Sequence, residues 1–586
     1  MVFNLQGKVA LITGGARGLG FQFAKELLKN GVRGITISDC DPVEGSTAAE
    51  TLNKEFGRGK VIFIKTDVTD KKQFEEAFRK TVEVFNNVDI LINNAGIMND
   101  AIWEKEIAVN VNGVVHGMLL GFDKYLKNFK SDDEAVILNM SSVGGIKGYG
   151  HVPVYVATKF AVTGMVKSWS YPTHYERTKV RVIGLCPGAT DTTLQVMEGK
   201  YIGPEYEDSI KDIPVEQFVI QPAEFVASEM VKLLMNSKNG TMWVVEGSKP
   251  AYEYIIPERE TFKNNRLLFH AVDVVNSTGL FDIRDKTRTK QIYVTVRKTL
   301  GFYCQKERRN FNFDLKMVFE VTGKIALITG GASGLGFRYA KELLQNGLKG
   351  VTLADMDAVS GKKAEEELRS TFGEDRALFI KTDVTKYVEF EEAFQSTIKK
   401  FKNVDILINN AGIMNDSIWE KEVAINMNGL INGMLLGLEK YLKNSKQGSE
   451  AVIVNISSVV GLNAHGYMPV YCGTKAAVVT MTQAWAWPTH SKRTGVRVVA
   501  LCPGPSATPL MDMEGKLWSP EYLDTIAGGD SGGIPLQGLD VVAQELVRII
   551  KFAENGTIWV VERDLPAYEF ITPERETFRN NVLTEK

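Results

Sequence analysis

No run of apolar residues in this 586-residue chain approaches the ~18 needed to cross a bilayer, so no membrane partner is expected. Charge of one sign is lacking too. With 69 Lys and Arg against 71 Asp and Glu the net charge is −2, which leaves no basic footprint for nucleic acid. Cysteine is scarce. The five residues (Cys40, Cys186, Cys304, Cys472, Cys502) follow neither a disulfide framework nor a metal-ligand spacing, and free thiols in a reducing compartment are expected. The opening MVFNLQGKVALITGG runs into a strand without the apolar core and cleavage site of a secretion signal, so the expected location is cytoplasmic. The remainder, 44% hydrophobic and 24% charged, is a globular composition with room for two or more domains.

The dominant feature is a duplication. A shift of 316 positions superimposes the two halves: Met1 falls on Met317, and PERETFKNN from Pro257 falls on PERETFRNN from Pro573. Between 88–106 and 404–422 only Ala101 and Ser417 differ. Such a period marks a repeated domain rather than a solenoid unit. The expected organisation is unit 1 at 1–265, a linker at 266–316 and unit 2 at 317–586. The linker carries eleven Lys/Arg, five acidic residues and seven aromatics with no helical or alternating period. It resembles neither a Gly/Ser tether nor a Pro-rich spacer.

Each unit alternates strand and helix. In unit 1, Val/Ile/Leu-rich runs occur at 8–13, 35–39, 61–67, 89–94, 135–141, 180–186 and 241–246. The intervening segments 21–30, 42–56, 71–85, 102–128, 154–173 and 223–236 are long enough for crossover helices. Near-continuous apolar strands separated by helices predict an α/β fold: a doubly wound, Rossmann-type, seven-stranded parallel sheet, built twice.

The first strand is followed by TGGARGLG, with Gly14, Gly18, Leu19 and Gly20, and in unit 2 by TGGASGLG, with Gly330, Gly334, Leu335 and Gly336. Glycines at a strand-to-helix turn let the backbone approach a pyrophosphate at the helix N-terminus. Asp39 and Asp355 end the second strands, where a carboxylate accepts the adenosine ribose hydroxyls and repels a 2′-phosphate. This favours NAD over NADP, although Arg17 in unit 1, where unit 2 has Ser333, opposes it slightly. Asp67-Val68 and Asp383-Val384 end the third strands where an adenine would lie; as turn residues they are almost equally well explained. Asn94 and Asn410 lie in NNAG turns at the sheet's carboxyl edge. Pro187, Gly188 and Thr192 (Pro503, Gly504 and Thr508) follow the sixth strands, with the threonine placed for a carboxamide.

Tyr155 and Lys159, like Tyr471 and Lys475, are four residues apart and share a helix face, and Ser142 and Ser458 lie thirteen residues before each tyrosine. A phenol with a pKa near ~10 is a poor base at neutral pH, and a neighbouring ammonium favours its phenolate. The serine hydroxyl can hold a substrate oxygen. Asn110 and Asn426 sit in apolar helical surroundings (AVNVNG, AINMNG), a costly place unless the amide has a partner. The stretches after Thr192 and Thr508 diverge, and unit 2 is Gly-rich there and expected to be the more mobile. Tyr149-Gly-His151 is exchanged for His465-Gly-Tyr467, rings that line a substrate mouth or, more simply, stand exposed on a loop. Different substrate preferences are expected of the two units.

Together TGxxxGxG, NNAG, the helix asparagine, Ser-x12-Tyr-x3-Lys and PGxxxT resemble the short-chain dehydrogenase/reductase family over both units and none of the linker. The resemblance implies a catalytic tetrad of Asn110, Ser142, Tyr155 and Lys159, repeated as Asn426, Ser458, Tyr471 and Lys475. In it the tyrosine is the acid/base, the serine orients the substrate, the lysine holds the nicotinamide ribose and lowers the tyrosine pKa, and the asparagine keeps a proton-relaying water. It implies NAD as cofactor, no metal, an alcohol or ketone substrate, and pairing of units through the helices carrying Asn110 and Tyr155. The pairing would give a pseudo-dimer within one chain or a dimer of chains. An NADPH-dependent carbonyl reductase and a non-catalytic cofactor-binding or storage protein are the alternatives.

Overall fold

The computed structural model describes residues 3–213, 219–255, 319–444, 450–527, 535–572 and 574–583. The linker 266–316 and the Gly-rich stretch 528–534 of unit 2 lie outside them.

In unit 1 the parallel strands are β1 (Val9–Thr13), β2 (Gly34–Asp39), β3 (Val61–Lys65), β4 (Ile90–Asn93), β5 (Ala135–Met140), β6 (Val180–Pro187) and β7 (Met242–Val245). Their order is β3-β2-β1-β4-β5-β6-β7, and unit 2 repeats it strand for strand. The strand cores are buried because helices cover both faces, which is why they read as unbroken apolar runs. The order reverses between β1 and β4, and the crevice beyond their carboxyl ends is where doubly wound sheets bind ligands.

Three elements differ from the sequence expectation. Each sheet has an eighth strand, β8 (Tyr252–Tyr254) in unit 1, antiparallel to β7. A hairpin turn with left-handed Gly247 (φ 61°) and Ser248 (φ 55°) makes that reversal. The helix expected at 102–128 runs over 103–129 with π-helical turns at Ala108–Asn112 and Leu119–Tyr125. The helix expected at 154–173 spans Pro153–Trp169 and stops before Pro172, which starts a new helix, Pro172–Thr178.

The Pro153–Trp169 helix is buried on nearly every side and mostly apolar, with Thr158, Lys159, Thr163 and Ser168 as its buried polar residues. One side covers its own sheet. Another packs along the equivalent helix of unit 2, Pro469–Trp485. Gly164 and Gly473 permit the close approach: a Cβ on Gly164 would lie 3.0 Å from the Ala476 methyl, and one on Gly473 would lie 2.6 Å from Met165 Cγ.

Polar contacts across this contact are reciprocal. His174 Nε2 bonds the Gly466 carbonyl and His490 Nε2 bonds the Gly150 carbonyl, each at 2.7 Å. Burial pushes the His174 and His151 imidazoles down to about 4, with His490 adding to the effect on His151. An unfolded imidazole takes its proton near ~6.5. Between that value and about 4 the unfolded chain therefore binds more protons, and stability falls as pH falls, by roughly 2–3 kcal/mol per histidine. Thermal unfolding followed from neutral to mildly acidic pH is expected to show this loss, and the slope should flatten in a His174→Asn, His151→Asn variant.

Candidate active site

The turn after β1 is built to leave backbone amides free. Helix α1 (Gly18–Lys29) has Arg17 at its N-cap and no side chain bonding its first amides. Helix α2 (Pro42–Phe56), by contrast, is capped by Asp41, which accepts from the amides of Val43 and Glu44. An uncapped N-terminus at the switch point has donors and a partial positive charge to offer an anion. The glycines are needed there. Gly14 has φ +60° and Gly18 φ +53°, and a Cβ on Gly20 would lie 2.2 Å from the Gly14 carbonyl oxygen. Gly330, Gly334 and Gly336 repeat this, with a Cβ on Gly336 at 2.1 Å from Gly330 O.

The neighbouring residues assemble around that turn. Asp39 is 9% exposed, and one of its oxygens accepts from the Ala16 amide of the glycine turn at 3.1 Å. Asp355 does the same to Ala332 at 3.0 Å. Each carboxylate thus faces the loop where a ribose would rest. Arg17 is exposed on the same loop. Asn94 Nδ2 donates to the carbonyls of Thr13 and Gly14, and Asn410 Nδ2 to those of Thr329 and Gly330, so these amides brace the turn. Thr192 stands over Gly18, its methyl 3.4 Å from where a Cβ would be, and Thr508 stands over Gly334 at 3.5 Å. Pro187 ends β6, and Gly188 packs so closely on Glu246 that a Cβ would lie 2.7 Å from that side chain. Pro503 and Gly504 repeat the arrangement against Glu562. Asp67 is exposed and caps its own turn through Thr69, while Val68 is buried with its carbonyl accepting from His116. Asp383 caps its turn through Thr385, and the Val384 carbonyl accepts from Asn432. Leu19 and Leu335 pack on the cores beneath α1 and its counterpart.

Ser142, Tyr155, Lys159 and Asn110 converge beside this crevice. Lys159 Nζ lies 5.7 Å from the Tyr155 ring centroid and donates to the Met140 carbonyl at 3.1 Å. Ser142 and Tyr155 flank one point: a Cβ on Gly144 would lie 3.5 Å from Ser142 Oγ and 3.7 Å from Cε1 of the Tyr155 ring. Asn110 sits in the first π-helical turn, where it accepts from the Ile97 amide (2.9 Å) and donates to the Ile97 carbonyl (2.8 Å) and Thr158 Oγ1 (3.0 Å). π-Turns commonly mark functional positions in helices. A Cβ on Gly96 would be 3.2 Å from both Asn110 Oδ1 and Lys159 Nζ, so those two atoms flank one small space. Unit 2 reproduces the cluster: Lys475 is 5.7 Å from the Tyr471 ring, Ser458 favours the Tyr471 phenolate, and Asn426 clamps Ile413.

The electrostatics differ from the sequence argument. Burial pushes both phenols above their ordinary value, opposed by the neighbouring serine, and brings Lys159 and Lys475 down to about 8. The lysine alone does not depress the phenol; desolvation outweighs it.

Sequence reasoning missed two sets of residues. Asp100 and Glu106, with Asp416 and Glu422 in unit 2, are buried carboxyl pairs at the base of the Tyr155 and Tyr471 helices. The other set crosses between units. Met98, Val143, Tyr149, Met197, Tyr201 and Ile213 form an apolar cluster round Tyr155 that also takes in Trp487 of unit 2. Tyr149 is therefore not an exposed loop ring. Its hydroxyl accepts from Arg575, in the C-terminal segment of unit 2, at 2.7 Å. That segment continues as a bridge from Val582 to Tyr252 of β8. In unit 2 the ring beside the site is Tyr467, which packs against the cluster holding Tyr471. The segments following the sixth strands are anchored crosswise. Tyr206 donates to Glu439 (2.8 Å) and accepts from Trp485 Nε1 (3.1 Å), and Tyr522 bonds Asp123 (3.2 Å) and Trp169 Nε1 (3.0 Å). The legible signal was PEY, kept in both copies, as is MEGK, inside a stretch that diverges elsewhere.

The short chain dehydrogenase family model matches residues 8–200 and again 324–516. The chain belongs to this family. It is similar to human 15-hydroxyprostaglandin dehydrogenase [NAD(+)], 34% identical over 253 residues, which covers 42% of this chain and 93% of the human protein. It is also similar to alcohol dehydrogenase 2 of Ceratitis capitata, 32% identical over 241 residues, 41% of this chain and 92% of that protein. Among solved structures, 3-ketoacyl-(acyl-carrier-protein) reductase from Brucella melitensis complexed with NADH is 28% identical, with a TM-score of 0.35, covering 41% of this chain and 98% of that one. The family model matches once in each half, so two short-chain dehydrogenase units stand in this chain. Among the described residues no helix is long and apolar enough to cross a membrane, and Cys40, Cys186, Cys472 and Cys502 form no disulfide.

Proposed function

We propose that each short-chain dehydrogenase unit is an NAD-dependent dehydrogenase that interconverts a secondary alcohol and its ketone, and that the two units work as a pair within one chain. The observation that carries this reading is the convergence of Ser142, Tyr155 and Lys159 beside the glycine turn, repeated in unit 2. The uncapped α1, the glycine cradle and the Asp39 carboxylate suit the pyrophosphate and adenosine ribose of NAD. When bound, NAD supplies a positively charged ring that accepts the hydride from the carbinol carbon.

The protein's residues do the rest. Ser142 holds the substrate oxygen and Tyr155 takes the hydroxyl proton, help worth typically 10²–10⁴-fold. Lys159, at about 8, changes charge near neutrality and can pass that proton outward past Asn110. The apolar cluster round Tyr155 favours an alcohol with a hydrocarbon body, lipid-like or small. The full chain with NAD and a panel of secondary alcohols, reading fluorescence of the reduced cofactor, tests the reading. Tyr155→Phe or Tyr471→Phe leaves one unit reporting at a time, and NAD binding without turnover on any alcohol would refute the reading.

Cofactor choice separates the units. Asp39→Ser is expected to improve acceptance of NADP in unit 1 about three- to fivefold more than Asp355→Ser does in unit 2. Arg17, on the same loop as Asp39, adds an exposed cation worth ~1 kcal/mol to a 2′-phosphate, where unit 2 has Ser333. Equal gains in the kcat/KM ratio for the two cofactors would remove Arg17 from the account.

A further inference from the structure

The buried carboxyl pair below each tyrosine has no place in the chemistry just described. Asp100 accepts from the amides of Val154 (2.8 Å) and Tyr155 (3.0 Å), the first turn of the Pro153–Trp169 helix. In unit 2 Asp416 accepts from Val470 (3.0 Å) and Tyr471 (3.1 Å). Burial raises Asp100 and Asp416 to about 6, and the two amide donors oppose it, so each aspartate is still an anion at neutral pH. Glu106 has no such support. One of its oxygens accepts from the Asn99 amide at 2.8 Å; the other is enclosed and finds no donor among the described residues. Glu422 repeats this, accepting from Asn415 at 2.9 Å with its second oxygen enclosed.

Glu106 and Asp100 are hydrogen-bonded to each other, as are Glu422 and Asp416. Two carboxyl groups in a hydrogen bond hold one proton between them. Because Asp100 and Asp416 already serve the helix amides as anions, the proton belongs to Glu106 and Glu422. Burial beside the aspartates pushes both glutamates well above the carboxylate range. The titratable groups that face Glu106 are Asp100, from the loop after β4, and Tyr155 and Lys159, from the helix above. A charge appearing on Glu106 therefore acts on the phenol and the ammonium directly, and a negative one disfavours the phenolate.

We propose that Glu106 and Glu422 are positioning residues of the two active sites. Each donates its proton to the aspartate that holds the first turn of the tyrosine helix, and loses it at alkaline pH to switch that site off. The proposal rests on the reading of Tyr155 and Tyr471 as the acid/base groups. A cap requires the aspartate alone, and an apolar or amide side chain would fill the second position without titrating. A glutamic acid there adds a proton whose loss places a charge that the reacting phenol feels, and it does so in both units.

The test uses the full chain carrying Tyr471→Phe, so that unit 1 alone reports, with Glu106→Gln and Glu106→Leu added separately. Alcohol oxidation is followed from about pH 6 to about pH 10.5, and NAD binding is measured alongside. Glu106→Gln keeps a donor for Asp100, and kcat near neutrality is expected within about threefold of the parent. Its rate should lack the alkaline decline that the parent shows. Glu106→Leu is expected to lower kcat at least about tenfold while NAD affinity stays within about twofold. Superimposable pH profiles for parent and Glu106→Gln, or a parent with no alkaline decline, would overturn the proposal even if the leucine variant failed to fold. A parent that binds NAD but turns over no alcohol would instead overturn the reading of Tyr155.

Discussion

Replacing both Tyr155 and Tyr471 by Phe is expected to abolish turnover while NAD binds as before. The loss should be at least about 10³-fold in kcat, ~4 kcal/mol of transition-state stabilisation. Phe fills nearly the same buried volume and removes only the hydroxyl. Each single variant should retain the activity of the other unit, so the two singles partition the total. The oxidation rate should rise with pH through neutrality, since the reacting form of the tyrosine is the phenolate and burial pushes each phenol up. Stopped-flow or steady-state fluorescence of the reduced cofactor, with cofactor titration as the binding control, would check all of this. Turnover in the double variant within tenfold of the parent would remove both tyrosines from the chemistry.

The second large effect concerns a residue of one unit held by the other. Tyr206 is fully buried, its hydroxyl bonded to Glu439 and Trp485 and its ring 4.5 Å from that of His490. The segment it anchors runs from the sixth strand to Ile213 and passes Met197 and Tyr201 beside Tyr155. Its own structure there is one short helix, Pro204–Glu207, and two 3-10 turns, Thr193–Gln195 and Asp208–Asp212, so its position depends on the anchor. Tyr206→Ala removes a buried aromatic, a change that costs about 3–5 kcal/mol in comparable settings. In a Tyr471→Phe background it is expected to raise the alcohol KM of unit 1 at least about tenfold with NAD affinity unchanged. Trp485→Ala, a substitution in unit 2, should do the same to unit 1. Tyr206→Phe, which loses only hydrogen bonds, should cost about 1–3 kcal/mol. Unchanged unit 1 kinetics in both alanine variants would show that the crosswise anchor has no bearing on substrate.

How much of this was readable beforehand follows from the range of each interaction. The parallel strands, the glycine turn and the Ser/Tyr/Lys constellation are written in short patterns, and the structure places those residues together. The eighth strand is three residues long and owes its pairing to a left-handed turn, so no periodicity announced it. The π-turn holding Asn110 shifts the helix register by a fraction of a turn, which a 3.6-residue pattern absorbs without trace. Asp100 and Glu106 read as ordinary polar residues at a helix start. Their burial depends on a helix that begins some fifty residues later. The phenol's environment was misjudged for a related reason. An ammonium four residues away is local and legible, whereas desolvation is the sum of everything packed around the ring.

The crosswise seating of Tyr206 and Tyr522 also constrains how this duplicated chain can change. After most duplications one copy is free to drift while its twin keeps the ancestral task. Here a lesion that accumulates in either half would reach into the catalytic hollow of its sibling, so decay of one copy would not be silent. New selectivity in one half can likewise originate in the other, and directed evolution of this chain would do well to randomise both halves together.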